Sequence, residues 1–262
     1  MTMIKACFFD VDGTLLSHTH TSKRVPESTR DSLEKLRKKG IKVFVSTGRH
    51  LYDLPKLPLE GIQFDGFVTL NGQLCADEKK EIIYRRPLEE KDTRTLLELF
   101  VKREEPLMLV AEERHYLNFI NDTVRRTQQE FSLPLPEPSL YDGVPIYMAI
   151  AFIGKEEEER FWPLLPAGCK MTRWASGGVD IISKTSGKVA GMERILSHYG
   201  IASEEIMAFG DGENDTDMLR FAGIGVAMGN AACQVKEAAD YVTDHIDEDG
   251  LTKALEYFKI LS

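Results

Sequence analysis

The chain has 262 residues, of which 42% are hydrophobic and 29% are charged, and its formal net charge is −9 at pH 7. This composition is typical of a globular protein rather than a disordered chain, and the acidic balance argues against a nucleic-acid partner. No apolar run approaches the roughly 20 residues that a membrane-spanning helix needs, so we expect no membrane partner.

The N-terminal part of the chain alternates between strand and helix patterns. Its predicted elements are a strand at residues 6–9, a helix at 25–39 and strands at 41–46 and 67–70. The strands are short apolar runs, which is typical of strands buried on both faces. Asn71-Gly72, directly after the third strand, is a hairpin-turn signal. Strand, helix and strand at this spacing indicate a parallel α/β sheet.

The middle of the chain has a different pattern and carries few residues suited to chemistry. Its predicted elements are helices at residues 89–103, 122–131 and 155–161, and strands at 107–111, 116–120, 146–152 and 179–182. Three prolines, at 134, 136 and 138, indicate a stiff, extended connection. We interpret this stretch as an inserted α+β cap.

The first pattern then returns. Its predicted elements are helices at residues 188–198, 215–221, 231–238 and 251–260, and strands at 206–209 and 224–227. The simplest interpretation is a Rossmann-like, parallel-sheet α/β core formed by residues 1–83 and 184–262, interrupted by a cap at 84–183 that would select the substrate.

The four cysteines are scattered and include no C-x-x-C pair. This pattern favours reduced thiols over a disulfide framework or a zinc site. The apolar stretch near the N-terminus is too short for a secretion signal. We therefore expect a cytoplasmic protein.

Polar residues follow the apolar runs at four places. They are Asp10 and Asp12 after the first strand, Thr47, Gly48 and Arg49 after the second, Lys188 at a helix start, and Asp211, Asn214 and Asp215 after the strand at 206–209. In an open parallel sheet, ligands bind beyond the carboxyl ends of the strands. We therefore expect these residues to share one rim.

Four carboxylates on one rim require a counter-charge, because they cannot all stay ionised at close range. Mg²⁺ suits this set, since it prefers carboxylate and carbonyl oxygens and keeps waters and phosphate as its other ligands. Lys188 supplies a second positive charge, and Thr47 with nearby backbone N–H groups suits phosphate oxygens. The rim is therefore expected to hold a phosphoryl group against a carboxylate.

The order of these residues predicts a two-step reaction. Asp10 can attack phosphorus and form an aspartyl-phosphate. Asp12 can protonate the leaving-group oxygen and then take a proton from the water that hydrolyses the intermediate. The sequence thus predicts a Mg²⁺-dependent phosphatase of small phosphorylated metabolites.

The same segments resemble the four motifs of the haloacid dehalogenase superfamily, in the same order. They are Asp10-Val-Asp12-Gly-Thr14, Thr47-Gly48-Arg49, Lys188 and Gly210-Asp-Gly-Glu-Asn214-Asp215. The resemblance spans nearly the whole chain and is closest to Cof-type phosphatases with a C2-type (type IIB) cap, among them bacterial sugar-phosphate phosphatases.

This resemblance implies a role for each motif residue. Asp10 would be the nucleophile and a metal ligand, and Asp12 would be the acid/base, with its backbone carbonyl on the metal. Lys188 would balance the negative charge, and Asp211 and Asp215 would be further metal ligands. The phosphate or the substrate would be bound by Thr47, Gly48, Arg49 and Asn214. The implied substrates are sugar (hexose) phosphates.

Two other functions use the same residues. A phosphomutase would pass the phosphoryl group to another hydroxyl, and a receiver-like module would carry a phosphorylated Asp10 without turnover. Asp12 argues against the receiver, which needs no acid/base partner, and so does the long insertion. The Gly210-Asp-Gly run lacks the third glycine of a dinucleotide fingerprint, which excludes that interpretation.

Two further features can be interpreted either as ligand-binding residues or as residues that bind no ligand. His18 and His20 are better explained as solvated loop histidines than as metal ligands. Arg173-Trp174 could face a substrate, or the tryptophan could pack inside the cap beside a surface arginine.

Overall fold

The structure is a computed structural model that describes residues 3–17, 24–131 and 133–261, so His18 and His20 lie outside the described residues. The chain divides into two compact units. The core unit comprises Met1–Arg85 and Gly187–Ser262, and the inserted unit comprises Arg86–Ser186.

The strands of the described residues are numbered in chain order. They are β1 (Ala6–Phe9), β2 (Lys42–Ser46), β3 (Gly66–Thr69), β4 (Leu74–Asp77), β5 (Ile82–Arg85), β6 (Leu107–Ala111), β7 (His115–Leu117), β8 (Ile146–Ala151), β9 (Cys169–Ala175), β10 (Gly178–Ser183), β11 (Ile206–Gly210), β12 (Ile224–Ala227) and β13 (Tyr241–Val242).

The α-helices of the same residues are numbered in the same way. They are α1 (Glu27–Lys38), α2 (Glu90–Lys102), α3 (Asp122–Glu130), α4 (Glu158–Phe161), α5 (Lys188–Tyr199), α6 (Thr216–Phe221), α7 (Cys233–Lys236) and α8 (Gly250–Tyr257). None of them combines the length and the apolar character that a membrane crossing requires.

The core unit contains one sheet, which within the described residues has the strand order β13-β12-β11-β1-β2-β3-β4-β5. In the run of six strands from β13 to β3, every adjacent pair is parallel. After β1 the chain continues to β2 and β3 on one side, whereas β12 and β13 extend from β11 on the other. The strand order therefore changes direction between β1 and β11, and such a switch point forms a crevice at the carboxyl ends of the strands.

Every residue of β1, in the middle of the sheet, is buried. Because successive side chains of a strand point to opposite faces of the sheet, this strand is buried on both faces. Phe8 stacks on Phe44 at 4.8 Å between ring centroids, in the same core cluster as side chains of α5 and α6. Phe9 stacks on Phe209 at 4.9 Å. α1 packs on β2 and α8, and α5 packs on β3 and β4. This burial explains why the sequence shows apolar runs instead of alternation.

The far edge of the sheet is antiparallel, and its strands β4 and β5 are additions to the predicted elements. β3 and β4 are joined by a 3₁₀ turn at Leu70–Gly72, where the hairpin signal stands. Asn71 adopts φ 51° and Gly72 φ 87°, a left-handed region that glycine and asparagine enter at low cost.

The inserted unit has an antiparallel five-stranded sheet with the order β7-β6-β8-β10-β9 among the described residues. β9 is not among the predicted elements, because Arg173 stands where the alternation that begins at Cys169 requires an apolar residue. Residues 155–161, predicted as one helix, are a 3₁₀ turn at Lys155–Glu157 followed by α4.

Arg173 and Trp174 lie on β9 and make contacts inside the inserted unit. The guanidinium of Arg173 donates to Glu158 Oε1 at 2.7 Å and to the carbonyl oxygens of Ala175 and Ser176. The Trp174 ring packs edge-to-face on Phe131, with centroids 5.0 Å apart. The tryptophan therefore has the packing role, and the arginine is tied into the unit instead of lying free on its surface.

Candidate active site

The loops after β1 and β11 bring Asp10 and Asp211 to the switch point of the sheet. Phe9 pairs with Phe209 in the parallel register, and the Asp10 N–H donates to the Phe209 carbonyl at 3.0 Å. Asp10, one residue beyond the end of β1, therefore lies beside the end of β11 at Gly210. The short apolar strands place the first polar residue of each loop at the same rim, as the sequence pattern predicts.

Lys188, the first residue of α5, is buried and joins two carboxylates. Its Nζ donates to Asp10 Oδ1 and to Asp215 Oδ1, each at 2.5 Å. Burial alone would lower the pKa of Lys188, but the two carboxylates outweigh it and raise the pKa above its ordinary value. The ammonium group therefore stays charged, as a buried cation must be when it is paired on both sides.

Asp215 is fully buried and holds the Gly-rich loop in shape. Its Oδ2 accepts from the backbone N–H groups of Asp211 at 3.0 Å and Gly212 at 2.9 Å. Residue 215 was predicted to open a helix; it instead ends a 3₁₀ turn at Glu213–Asp215, and α6 begins one residue later. A carboxylate that accepts backbone N–H groups competes with regular helix geometry.

Asp211 is held by two side chains from other loops. Thr14 Oγ1 donates to Asp211 Oδ1 at 2.7 Å, and Asn230 Nδ2 donates to Asp211 Oδ2 at 3.3 Å. Gly13, with φ +87°, passes so close that a Cβ there would lie 2.1 Å from Asp211 Oδ2. Only glycine fits both the backbone angle and the space.

Two carboxyl groups of the rim, those of Asp10 and Asp211, resist ionisation. Burial raises the pKa of Asp10 to about 7; Asp215 and Asp12 add to this rise, and Lys188 opposes it. Burial also raises the pKa of Asp211 well above its ordinary value, with Asp10 and Asp215 acting in the same direction. One lysine therefore does not neutralise the set, and a further cation would be stabilised there.

Asp10, Asp211 and Asp215 each offer a carboxylate oxygen, and these three atoms lie within 4.8 Å of one another. The donors are hard carboxylate oxygens. This donor set fits Mg²⁺, which is bound by one or two carboxylates together with waters and phosphate.

Asp12 and Arg49 form an ion pair across the rim. Arg49 Nε donates to Asp12 Oδ2 at 2.5 Å, and Nη2 donates to Oδ1 at 2.6 Å. Both oxygens of the Asp12 carboxylate thus accept hydrogen bonds from one guanidinium group. The sequence predicts that Arg49 contacts phosphate, whereas in the structure its guanidinium contacts Asp12.

Thr47 and Gly48 follow β2, the neighbour of β1. Thr47 is buried, and its Oγ1 accepts from the Arg49 N–H at 3.1 Å. Asn214, in the loop after β11, donates through Nδ2 to Asn71 Oδ1 at 3.2 Å. The predicted phosphate-binding residues thus stand in the loops on either side of Asp10.

Three residues of this rim had no assigned role in the sequence: Thr14, Asn71 and Asn230. Asn230 also donates to the Gly13 carbonyl at 2.8 Å, and the Asn71 N–H donates to the Thr47 carbonyl at 3.1 Å. The sequence pattern could have identified two of them. Asn71 follows β3 and Asn230 follows β12 within a few residues, just as the residues with assigned roles follow their strands.

The chain is similar to known proteins over nearly its whole length. A sequence profile described as haloacid dehalogenase-like hydrolase matches residues 7–255. The solved structure of a sugar phosphatase of HAD subclass IIB superposes with a TM-score of 0.85 at 37% identity, covering 98% of this chain and 99% of that one.

Two further relatives are phosphatases. A HAD-superfamily structure from Bacteroides thetaiotaomicron, from a study of phosphatases, has a TM-score of 0.87 at 34% identity over 98% of this chain and 96% of its own. The 5-amino-6-(5-phospho-D-ribitylamino)uracil phosphatase of Bacillus subtilis is 27% identical over 97% of this chain and 96% of its own. The chain is a phosphatase and belongs to the haloacid dehalogenase-like hydrolase family.

Proposed function

We propose that this phosphatase is Mg²⁺-dependent and hydrolyses small phosphorylated metabolites, sugar phosphates first among them, through an aspartyl-phosphate at Asp10. The observation that carries the proposal is the buried bridge from Lys188 to Asp10 and Asp215, set beside Asp211 at the switch point of the sheet.

In the first step Asp10 acts as the nucleophile. Lys188 engages Oδ1 and orients the carboxylate, which directs Oδ2 to the phosphorus. A bond forms between Oδ2 and phosphorus while the bond to the leaving oxygen breaks. The ammonium charge of Lys188 stabilises the negative charge around the reacting group.

Asp12 handles the proton in both steps. Its carboxyl group gives a proton to the leaving oxygen, and the resulting carboxylate then takes one from the attacking water. The water oxygen bonds to phosphorus, and the electron pair of the Asp10–phosphorus bond returns to the Asp10 carboxylate. Free phosphate leaves and both side chains are restored.

Asp10, Asp211 and Asp215, with the Asp12 backbone carbonyl, would hold Mg²⁺. When bound, the ion supplies positive charge to the phosphoryl oxygens. Thr14 and Asn230 orient Asp211, and Thr47, Gly48 and Asn214 provide hydroxyl, backbone and amide groups for the phosphate oxygens. With the metal ion bound, the rim would therefore bind the phosphate group although the protein as a whole is acidic.

The substrate class is supported by two relatives: one is named a sugar phosphatase, and the other acts on a phosphoribityl compound. Both substrate types are phosphate monoesters of polyhydroxylated carbon chains. We assign catalysis to the core unit and substrate selection to the inserted unit. We also propose that the enzyme acts in the cytoplasm.

The test is a phosphate-release panel of hexose phosphates, a phosphoribityl compound and nucleotides, with Mg²⁺ and with excess chelator. We expect the highest kcat/KM for sugar phosphates, loss of activity in chelator, and loss of activity in Asp10→Asn, which should still unfold in one cooperative thermal transition. Asp31→Asn, on the exposed side of α1, is the matched control and should keep full activity. Activity in Asp10→Asn or in chelator would overturn the mechanism, and an isomerised product without free phosphate would indicate a phosphomutase.

A further inference from the structure

The contact between Arg49 and Asp12 has the geometry of a positioning device. Two N–H groups of one guanidinium reach both oxygens of one carboxylate, at 2.5 and 2.6 Å, between residues 37 positions apart in the chain. Such a two-pronged pair fixes the plane of the carboxylate as well as its position, which a single hydrogen bond does not.

Arg49 is itself anchored at its backbone. Its N–H donates to Thr47 Oγ1 at 3.1 Å, and its carbonyl accepts from the Leu70 N–H at 3.1 Å. Its side chain is only 12% exposed, and a guanidinium buried to this degree is costly unless it is paired. The arginine is therefore held at one end by the loop after β2 and at the other by Asp12.

Asp12 needs such support more than its neighbours do. Asp10 and Asp215 are buried against Lys188, whereas the Asp12 side chain is 25% exposed and stands next to Gly13, where the backbone turns. Proton transfer requires the acid within about 2.6–3.2 Å of the receiving oxygen, and a misplacement of about 1 Å is costly in rate.

We propose that Arg49 is a positioning residue that acts through Asp12, aiming its carboxyl group at the leaving-group oxygen, and is not primarily a phosphate ligand. This inference rests on the proposed function. In the step concerned, the Asp12 carboxyl group carries a proton on one oxygen and keeps its other oxygen on Arg49. The Asp10 Oδ2–phosphorus bond forms, the bond to the leaving oxygen breaks with its electron pair on that oxygen, and the Asp12 proton moves to it.

Two substrates separate this role from phosphate binding. A hexose phosphate loses an alkoxide, which departs only when protonated, whereas p-nitrophenyl phosphate loses a stabilised phenolate that needs no proton. Asp12 also serves as the base in the second step, which is the same for both substrates, so kcat alone does not separate the two roles. The parameter kcat/KM reports only the steps up to the aspartyl-phosphate, and a residue that acts through Asp12 therefore lowers kcat/KM selectively for the hexose phosphate. A phosphate ligand lowers kcat/KM for both substrates alike, because both carry the same phosphoryl group.

The experiment measures kcat and KM on both substrates for the full chain and for Arg49→Gln, Arg49→Lys, Asp12→Asn and Asp12→Asn/Arg49→Gln. Arg37→Gln is the matched control, because Arg37 pairs with Asp65 at 2.6 Å away from the rim. Thermal melting of each variant confirms folding, and Arg49→Lys carries the test if Arg49→Gln does not fold.

We expect the ratio of kcat/KM for the hexose phosphate to kcat/KM for p-nitrophenyl phosphate to fall about tenfold or more in both Arg49 variants. Lysine keeps the charge but not the fork, so charge alone should not restore the ratio. In the Asp12→Asn background, Arg49→Gln should change the ratio no further, and Arg37→Gln should leave it unchanged.

An equal loss of kcat/KM on both substrates, a full ratio in Arg49→Lys, or a further loss of ratio in the Asp12→Asn background would each overturn the role of Arg49. A full chain that releases no phosphate from either substrate in an Asp10-dependent manner would instead overturn the proposed function, so the two failures are distinguishable.

Discussion

Asn230 is a residue whose importance lies in the carboxylate it holds. It donates to Asp211 Oδ2 and to the Gly13 carbonyl, and its Oδ1 accepts from the Ile246 N–H at 3.1 Å. Partners that orient a metal ligand commonly change metal affinity by about 10–100-fold when they are removed.

We therefore expect Asn230→Ala to weaken Mg²⁺ binding by about tenfold or more, measured by isothermal titration calorimetry without substrate. Thr14→Val, which removes the other donor to Asp211, should act in the same direction. A lower melting temperature with unchanged Mg²⁺ affinity would show that Asn230 only stabilises the fold.

The cysteines give a second prediction at the residue scale. Cys7, Cys75 and Cys169 are buried and Cys233 is exposed. Burial raises the pKa of Cys75 and Cys169 to about 12 each, and that of Cys7 further. The thiolate is the reactive form, so a disulfide reagent at pH 8 should label about one thiol per native chain and about four after unfolding. Native Cys233→Ser should not react; labelling of a buried thiol would contradict the prediction.

At the scale of elements, the turn between β3 and β4 sets how closely α5 approaches the sheet. A Cβ on Gly72 would lie 2.1 Å from the Gly187 carbonyl oxygen, directly before Lys188, and a Cβ on Gly191 would lie 2.8 Å from the Gly72 Cα. The two backbones are thus in contact at the point from which Lys188 reaches Asp10.

We expect Gly72→Ala to lower kcat and to destabilise the fold by more than the roughly 1–3 kcal/mol of backbone strain alone, because α5 must move away. Gly40→Ala is the matched control, since Gly40 also has a positive φ of +77° but open space around its Cβ position. It should lose stability and keep kcat, as measured by urea unfolding and phosphate release. Equal kcat in both variants would contradict the positioning of Lys188 by this turn.

For the molecule as a whole, the acidic rim links stability to pH and Mg²⁺. The pKa of Asp10 is about 7 in the folded protein against an ordinary 3.8, so between these values the folded state binds more protons than the unfolded state. The contribution of Asp10 to the free energy of unfolding therefore falls as the pH rises from about 3.8 to about 7. Asp211 acts in the same direction, because its pKa is also raised.

A bound cation favours the ionised carboxylates and offsets this loss. We expect Mg²⁺ at about 100 times its Kd to stabilise the protein by about 2.7 kcal/mol, which raises the melting temperature by about 5–10 °C. The increase should be clear at pH 8 and small at pH 5, as followed by thermal unfolding. Asp211→Asn should lose most of it; the same increase at both pH values would contradict the linkage.

Much of this protein was predictable from the sequence, because the informative patterns are local. Apolar runs buried on both faces predict parallel strands, and a polar residue directly after such a run stands at the carboxyl edge of the sheet. The positions of Asp10, Thr47, Asp211 and Asp215 followed from this rule together with chain order. Strands with mixed or short patterns, such as β9 and β13, carry no such signal and were not predicted.

Only the tertiary structure decided which of these residues meet. Lys188 bridges carboxylates 178 and 27 positions away, and Arg49 turns to Asp12 instead of presenting a free guanidinium. Asn71 and Asn230 join the rim because β3 and β12 lie in one sheet with β1. The physical reason is that local sequence encodes element type and burial, whereas side-chain pairing between distant loops depends on strand order, register and the close backbone approach that packing allows.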